Sequence, residues 1–196
     1  MCIRDRYNSK IIGLGKYLPD NIVSNADLEK IMDTTDAWIQ ERTGIRERRH
    51  IVKGSDDTTF TMGVKASKIA IERAGITSKE IDLILFATLS PDYYFPGSGV
   101  LVQDALDIPD CPAMDIRIQC SGFIYAVATA DQFIKTGMYK NVLVIGSEYH
   151  SGGLEMNTRG RNISVIFGDG AGAIVMTRSE NKNKGILHSQ LHSEGK

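Results

Sequence analysis

The hydrophobic and polar positions follow two different periods along the chain. Short apolar runs are typical of strands, and apolar residues three or four positions apart are typical of helices. The pattern predicts strands near 10–15 and over 81–88, 113–118 and 141–147, with helices within 25–43 and over 58–74, 97–107 and 120–136. Strands that alternate with helices of this length indicate βαβ units, so we expect an α/β fold with a mostly parallel sheet covered by helices.

Local signals at the helix ends agree with this periodicity. Ser24, with Asp27 three residues later, resembles a capping box at a helix start. Gly44, Gly75 and Gly137 stand where the predicted helices should end.

The pattern changes after residue 160. The segments "NISVIF", "AGAIVMT" and "GILHSQLH" all predict strands, which suits a meander or crossing strands. No repeat or linker divides the chain, so we expect one domain over 7–196. The opening "MCIRDR" does not fit the first strand pattern, and we interpret residues 1–6 as a non-native leader.

Composition narrows the class of protein. The 196 residues are 42% hydrophobic with a formal net charge of -1, which gives enough chain for one large core and no signal for nucleic acid or an anionic membrane. The apolar runs are far shorter than the roughly 20 residues that cross a bilayer. Three cysteines, without a secretory leader, favour a reducing cytoplasm over a disulfide framework, and no spacing of metal ligands is visible.

The segment "RIQCSGFIYA" places Cys120 between a predicted strand and a predicted helix. A helix N-terminus lowers the pKa of a thiol and so favours the reactive thiolate. The alternative is a small buried hydrophobic residue at an element boundary, and composition alone favours it because no base is visible nearby in the sequence. Cys111, in the turn-like "PDCPAM", is predicted to be structural.

Three further segments have two interpretations each. The "GDGAGA" at 168–173 matches a dinucleotide fingerprint in letters, but strand residues follow it, so we reject nucleotide binding there in favour of a tight turn. Segment 36–50 combines the only tryptophan with several arginines, which suits either a nucleotide-bearing ligand such as coenzyme A or a charged helix end. The aromatic loop 92–99 suits either surface packing or a dimer contact.

Four motifs together resemble a known family. In order and spacing, "GLGKYLPDNIVSNADLEK", "TTDAWIQERTGIRERR", "CSGF" and "IFGDGAGAIV" are similar to the beta-ketoacyl-acyl-carrier-protein synthase III family of thiolase-like condensing enzymes. The resemblance covers about 10–196. It implies a fold of two similar halves in a five-layered αβαβα sandwich, with this chain as the N-terminal, thiolase-like half and the C-terminal half missing.

The resemblance also implies a reaction. Cys120 matches the catalytic nucleophile, which takes an acyl group from acyl-CoA and condenses it with malonyl-acyl-carrier protein after loss of carbon dioxide, without a cofactor or metal. The histidine and asparagine that assist decarboxylation belong to the family's second half, so the fragment alone should be inactive. His192 is the nearest candidate here, and a place on a strand surface explains it better.

Further residues match the family's binding sites. Trp38 and Arg161 match the pair that sandwiches the adenine of coenzyme A, and Thr34 and Arg42 match contacts to the same nucleotide. Phe95 matches an aromatic residue that reaches across a homodimer into the neighbour's acyl pocket.

One departure from the family pattern leaves the acyl preference open. Gln119 precedes the nucleophile where many members carry alanine. The alternatives are a thiolase-like synthase of a secondary lipid or signal molecule, and a non-catalytic homologue that acts as a scaffold.

Overall fold

The structure is a computed structural model that describes residues 7–181 and 183–195, so the leader proposed for residues 1–6 lies outside the described residues. Its centre is a five-stranded sheet in the order β1-β7-β6-β4-β5. The strands are β1 (Asn8–Tyr17), β4 (Leu83–Ala87), β5 (Ala113–Ile116), β6 (Val142–Glu148) and β7 (Gly170–Ser179). Four strands run in one direction and β7 runs against them between β1 and β6, which confirms the mostly parallel sheet.

Helices cover both faces of this sheet. The first face carries α3 (Thr59–Ala74) and α4 (Ser98–Ala105), and the second carries α5 (Gly122–Thr136). Successive residues of β4 explain the two layers, because Ile84 and Phe86 belong to the core cluster under α3 and α4, whereas Leu83 and Leu85 belong to the cluster under α5. The result is an α-β-α arrangement with the sheet in the middle.

A small unit packs beside the sheet and carries part of the candidate site. It comprises an antiparallel pair, β2 (Ile22–Ser24) and β3 (Glu47–Arg49), with the helices α1 (Asn25–Glu29), α2 (Asp36–Thr43) and α6 (Arg161–Ser164). Buried apolar residues of α1 and α2, and of the segments that directly follow α1 and α6, form its core: Leu28, Met32, Ile39 and Val165.

Strand β1 approaches α3 so closely that two of its residues must be glycine. A Cβ at Gly15 would lie 2.0 Å from the carbonyl oxygen of Ala66, and one at Gly13 would lie 2.0 Å from that of Ala70. The strand and the helix therefore touch backbone to backbone.

The predicted helix ends are confirmed. Ser24 and Asp27 form the reciprocal capping box at α1. Gly44, Gly75 and Gly137 end their helices with left-handed backbones, at φ values of 72°, 68° and 81°.

Two of the three strands predicted after residue 160 are wrong. "NISVIF" begins as α6 and continues in a turn, because only Val165 packs into the small unit while Ile163 and Ile166 stay exposed. "GILHSQLH" is not a strand in the described residues, although Ile186 donates one hydrogen bond to the carbonyl of Ser9. "AGAIVMT" is confirmed within β7, which also confirms the rejection of a dinucleotide fingerprint, since a strand and not a helix begins at Gly170.

Candidate active site

Cys120 lies on a short 3₁₀ turn, Gln119–Ser121, that joins β5 to α5. The α-helix itself begins two residues later than predicted, at Gly122. Cys120 is an exposed free thiol, so its interpretation as a small buried hydrophobic residue is wrong. The amino end of a fifteen-residue helix follows it directly, and the N–H groups there are potential donors to an anion bound beside the thiol.

Cys111 has the opposite environment. It is 8% exposed, and burial together with the nearby Asp82 carboxylate raises the pKa of its thiol to about 11. The thiol is therefore protonated at neutral pH, as expected for a structural cysteine. A cavity of about 590 Å³ lies beside Cys111, at the amino ends of β4 and β6. It is larger than the cavity beside Cys120, but it lacks a reactive thiol.

A cavity of about 240 Å³ adjoins Cys120. It lies where the parallel strands β4 and β6 end, the usual place for a ligand in an α/β sheet. Its lining combines apolar and polar residues: Ala87, Leu89, Gln119, Phe123, Gly146, Ser147, Glu148 and His150.

Glu148 holds the loop that follows β4. Its carboxylate accepts hydrogen bonds from the backbone N–H groups of Leu89 and Ser90 and from the hydroxyls of Thr88 and Ser90. The imidazole Nε2 of His150 lies 3.7 Å from the same carboxylate, too far for a hydrogen bond. Glu148 is thus a structural partner of the loop.

Asp169, inside the "GDGAGA" motif, holds the loop that carries His150. The carboxylate is 4% exposed, and one oxygen accepts the N–H groups of His150 and Ser151 at 2.8 Å each. The other oxygen accepts the N–H of Ile51 at 2.6 Å and the Ser151 hydroxyl. The sequence indicates only a tight turn made by the glycines of this motif. The signal that could have identified Asp169 is an aspartate directly before a buried strand.

The residues matched to the coenzyme site come together on the small unit. The guanidinium carbons of Arg42 and Arg161 lie 4.5 and 4.8 Å from the ring centre of Trp38, within cation–π range. Arg161 also donates to the carbonyl of Asp33 at 2.6 Å. The next residue, Thr34, has a buried hydroxyl oxygen that finds no hydrogen-bond partner within the described residues.

Arg48 joins the elements that carry this group, and sequence reasoning missed it. Its side chain is buried and donates to the carbonyls of Val23 and Val165 and to the side chain of Asn25. Burial lowers its pKa. Nothing in the run "RERR" distinguishes this arginine from its neighbours.

Phe95 lies away from the Cys120 cavity, at the tip of the aromatic loop, and is 91% exposed. Tyr93 and Tyr94 are exposed beside it. The base of the loop is fixed, since Asp92 accepts two N–H groups at the start of α3 and Asp115 accepts two at the start of α4.

Known proteins match the chain along nearly its whole length. The family model for 3-oxoacyl-[acyl-carrier-protein] synthase III matches residues 114–195. Beta-ketoacyl-[acyl-carrier-protein] synthase III of Aliivibrio fischeri is 52% identical over 188 residues, which are 96% of this chain and 57% of that protein. A Bacillus anthracis relative of the same description is 50% identical over 96% of this chain and 59% of its own length. The chain belongs to the beta-ketoacyl-acyl-carrier-protein synthase III family.

Solved structures agree with the family. The 3-oxoacyl-[acyl-carrier-protein] synthase III of Aquifex aeolicus matches with a TM-score of 0.84 and 50% identity, over 89% of this chain and 55% of that one. The priming beta-ketosynthase of the R1128 polyketide pathway matches with a TM-score of 0.84 and 34% identity, over 92% of this chain and 53% of that one. The predicted α/β, thiolase-like fold is thereby confirmed, and the chain spans somewhat more than half the length of these relatives.

The described residues contain neither a membrane-spanning helix nor a cluster of metal ligands. No helix among them has the length and hydrophobicity to cross a membrane. No group of three or more histidine, cysteine or acidic side chains in the same part of the chain could hold a metal ion.

Proposed function

We propose that the full-length protein containing this chain condenses an acyl-CoA with malonyl-acyl-carrier protein, through an acyl-cysteine at Cys120, and so starts fatty-acid synthesis. The observation that carries this proposal is the exposed Cys120 thiol, which lies beside a cavity at the start of α5. A scaffold without activity has no need of an exposed thiol there.

In the first step the Cys120 thiolate attacks the thioester carbonyl of acyl-CoA. Coenzyme A leaves as its thiolate, and the acyl group is stored as a new thioester on the enzyme. We expect the N–H groups at the amino end of α5 to stabilise the negative charge that develops in the tetrahedral intermediate.

In the second step malonyl-acyl-carrier protein loses carbon dioxide. The electron pair of the broken carbon–carbon bond forms an enolate, which attacks the acyl carbon while the Cys120 thiolate leaves. We expect the enolate to receive hydrogen bonds from a histidine and an asparagine outside this chain.

The coenzyme would bind on the small unit. Trp38 and Arg161 supply a flat aromatic face and a planar cation for the adenine, and Arg42 supplies a fork of donors suited to phosphate. Thr34 follows Asp33, whose carbonyl accepts a hydrogen bond from Arg161, so we place its backbone at the edge of this nucleotide site. Acyl carrier protein is the second partner, with a cytoplasmic location and a homodimer in which the exposed Phe95 enters the neighbouring subunit.

The test is intact-protein mass spectrometry of the full-length protein after incubation with acetyl-CoA, propionyl-CoA and butyryl-CoA. We expect an acyl adduct on Cys120 that disappears on addition of malonyl-acyl-carrier protein, together with a beta-ketoacyl product. The Cys120→Ser variant is the matched control and should give no stable adduct. Absence of any adduct with all three thioesters would refute the proposal.

A second measurement separates the coenzyme site from the thiol. Trp38→Ala should raise KM for acyl-CoA about tenfold or more, with a smaller change in kcat, because the stacking contact is lost in both ground and transition states. A KM equal to that of the unchanged protein would refute the assignment of Trp38 to the coenzyme site.

A second candidate function keeps the first step and changes the product. Gln119 is in the cavity beside the nucleophile, which favours an unusual acyl group and hence a synthase of a secondary lipid or signal molecule. Product analysis with malonyl-acyl-carrier protein against other beta-keto donors distinguishes the two.

A further inference from the structure

We infer that the acyl group bound beside Cys120 is short and carries a hydroxyl, which hydrogen-bonds to His150 and Gln119. This inference rests on the proposed function and names its substrate class. It starts from the lining of the cavity, which combines the apolar residues Ala87, Leu89 and Phe123 with polar residues.

The imidazole of His150 has hydrogen-bonding groups that the protein leaves unused. Its ring nitrogens make no hydrogen bond within the described part of the chain, and its side chain is only 22% exposed. The nearest acceptor, the carboxylate of Glu148, is 3.7 Å away and already accepts four hydrogen bonds. An acyl chain that covered this ring with CH₂ groups alone would leave its nitrogens desolvated and unpaired, which is unfavourable.

The ring is nevertheless held in place. The backbone N–H of His150 donates to the buried carboxylate of Asp169, and its imidazole packs against Phe167 with ring centres 4.9 Å apart. A polar group that is fixed before a ligand arrives loses little freedom when the ligand binds. His150 is therefore prepared to recognise one oxygen atom.

Gln119 adds a second polar group next to the nucleophile. Its amide makes no hydrogen bond with any other described residue, and its backbone has a left-handed φ of 41°. A non-glycine residue in that conformation costs about 1–2 kcal/mol, which a glycine would avoid. Since Gln119 lines the cavity, we infer that its side chain has a use there that offsets the strain.

The cavity that the described residues form beside Cys120 is small. Its volume of about 240 Å³ is below the range of about 300–1,000 Å³ that is usual for small-molecule sites. We therefore take a four-carbon acyl group with one hydroxyl as the probe for this space.

The experiment compares butyryl-CoA with 3-hydroxybutyryl-CoA on the full-length protein. The rate of acyl-adduct formation on Cys120 is measured for both by mass spectrometry, and the ratio of the two rates is the readout. We expect the hydroxyacyl group to react about tenfold faster, and we expect His150→Leu to bring the ratio close to one. His150→Gln, which keeps a hydrogen-bonding group, should retain a clear preference, and His188→Leu is the matched control because His188 is exposed and does not line the cavity.

Each other outcome has a definite meaning. Equal or faster reaction of butyryl-CoA with the unchanged protein overturns the inference and leaves the proposed function standing. If His150→Leu slows both thioesters by the same factor, His150 acts on the thiol and not on the acyl group, which also overturns the inference. If acetyl-CoA modifies Cys120 but neither four-carbon thioester does, the inference is overturned and the proposed function stands, whereas the proposed function itself fails if acetyl-CoA, propionyl-CoA and butyryl-CoA all leave the folded protein unmodified.

Discussion

Replacing Asp169 with asparagine tests whether one buried carboxylate holds the loop beside the active site. In Asp169→Asn one oxygen becomes an NH₂ group, which cannot accept the N–H of Ile51 that now lies 2.6 Å away. A stranded, partly buried N–H costs about 1–3 kcal/mol. The N–H groups of His150 and Ser151 keep an acceptor, but a neutral one, at a loss of about 1 kcal/mol each.

Part of this loss is offset, because the variant no longer buries a charge. We therefore expect the free energy of unfolding to fall by about 3 kcal/mol. The measurement is urea unfolding of the full-length protein, and an unchanged m-value serves as the check on two-state behaviour. The matched control is Asp115→Asn, a carboxylate that also accepts backbone N–H groups but belongs to an exposed residue. We expect it to cost about 1 kcal/mol. A loss for Asp169→Asn no larger than for the control would refute the reasoning.

Two further predictions concern the core. Because burial raises the Cys111 pKa to about 11, the folded state keeps this proton while the unfolded chain releases it near pH 9, so stability should fall by about 2 kcal/mol between pH 9 and 11. Cys111→Ala should remove that part of the pH dependence. If urea unfolding shows the same decrease of the free energy of unfolding with pH in both proteins, the prediction is contradicted. Gly15→Ala should lose about 3 kcal/mol or more, because its Cβ would overlap the Ala66 carbonyl, whereas Gly172→Ala, which meets no atom within 4 Å, should stay within about 1 kcal/mol. Equal thermal melting temperatures for the two glycine variants would argue against the close contact.

The sequence predicted the sheet and its large helices because their apolar periods coincide with burial. Val142 to Ile145 is buried on every residue, and the glycines that end α3 and α5 mark their limits without ambiguity. The strand prediction for "NISVIF" is wrong because the apolar pattern of this segment does not coincide with burial. Its alternation was read as two faces of a strand, but a single contact of Val165 with the small unit determines the conformation there.

Sequence motifs pointed to some residues of the candidate site but not to those that support them. Cys120 and Trp38 belong to motifs whose letters carry information, so they could be singled out before any coordinates were known. The roles of Asp169 and His150 depend on contacts across many residues, such as the N–H of Ile51 reaching Asp169 from 118 positions away. No local pattern encodes such a contact.

The stacking of Arg161 on Trp38 has a consequence for coenzyme affinity. A flat ring between them needs two contacts of about 3.5–4.0 Å, or about 7–8 Å in total, whereas the guanidinium now lies 4.8 Å from the indole centre. If the adenine binds there, the protein must first give up an internal contact worth about 0.5–2 kcal/mol. In that case Arg161 competes with the adenine for the face of Trp38, and the apparent affinity for the nucleotide would fall by a factor between about two and thirty.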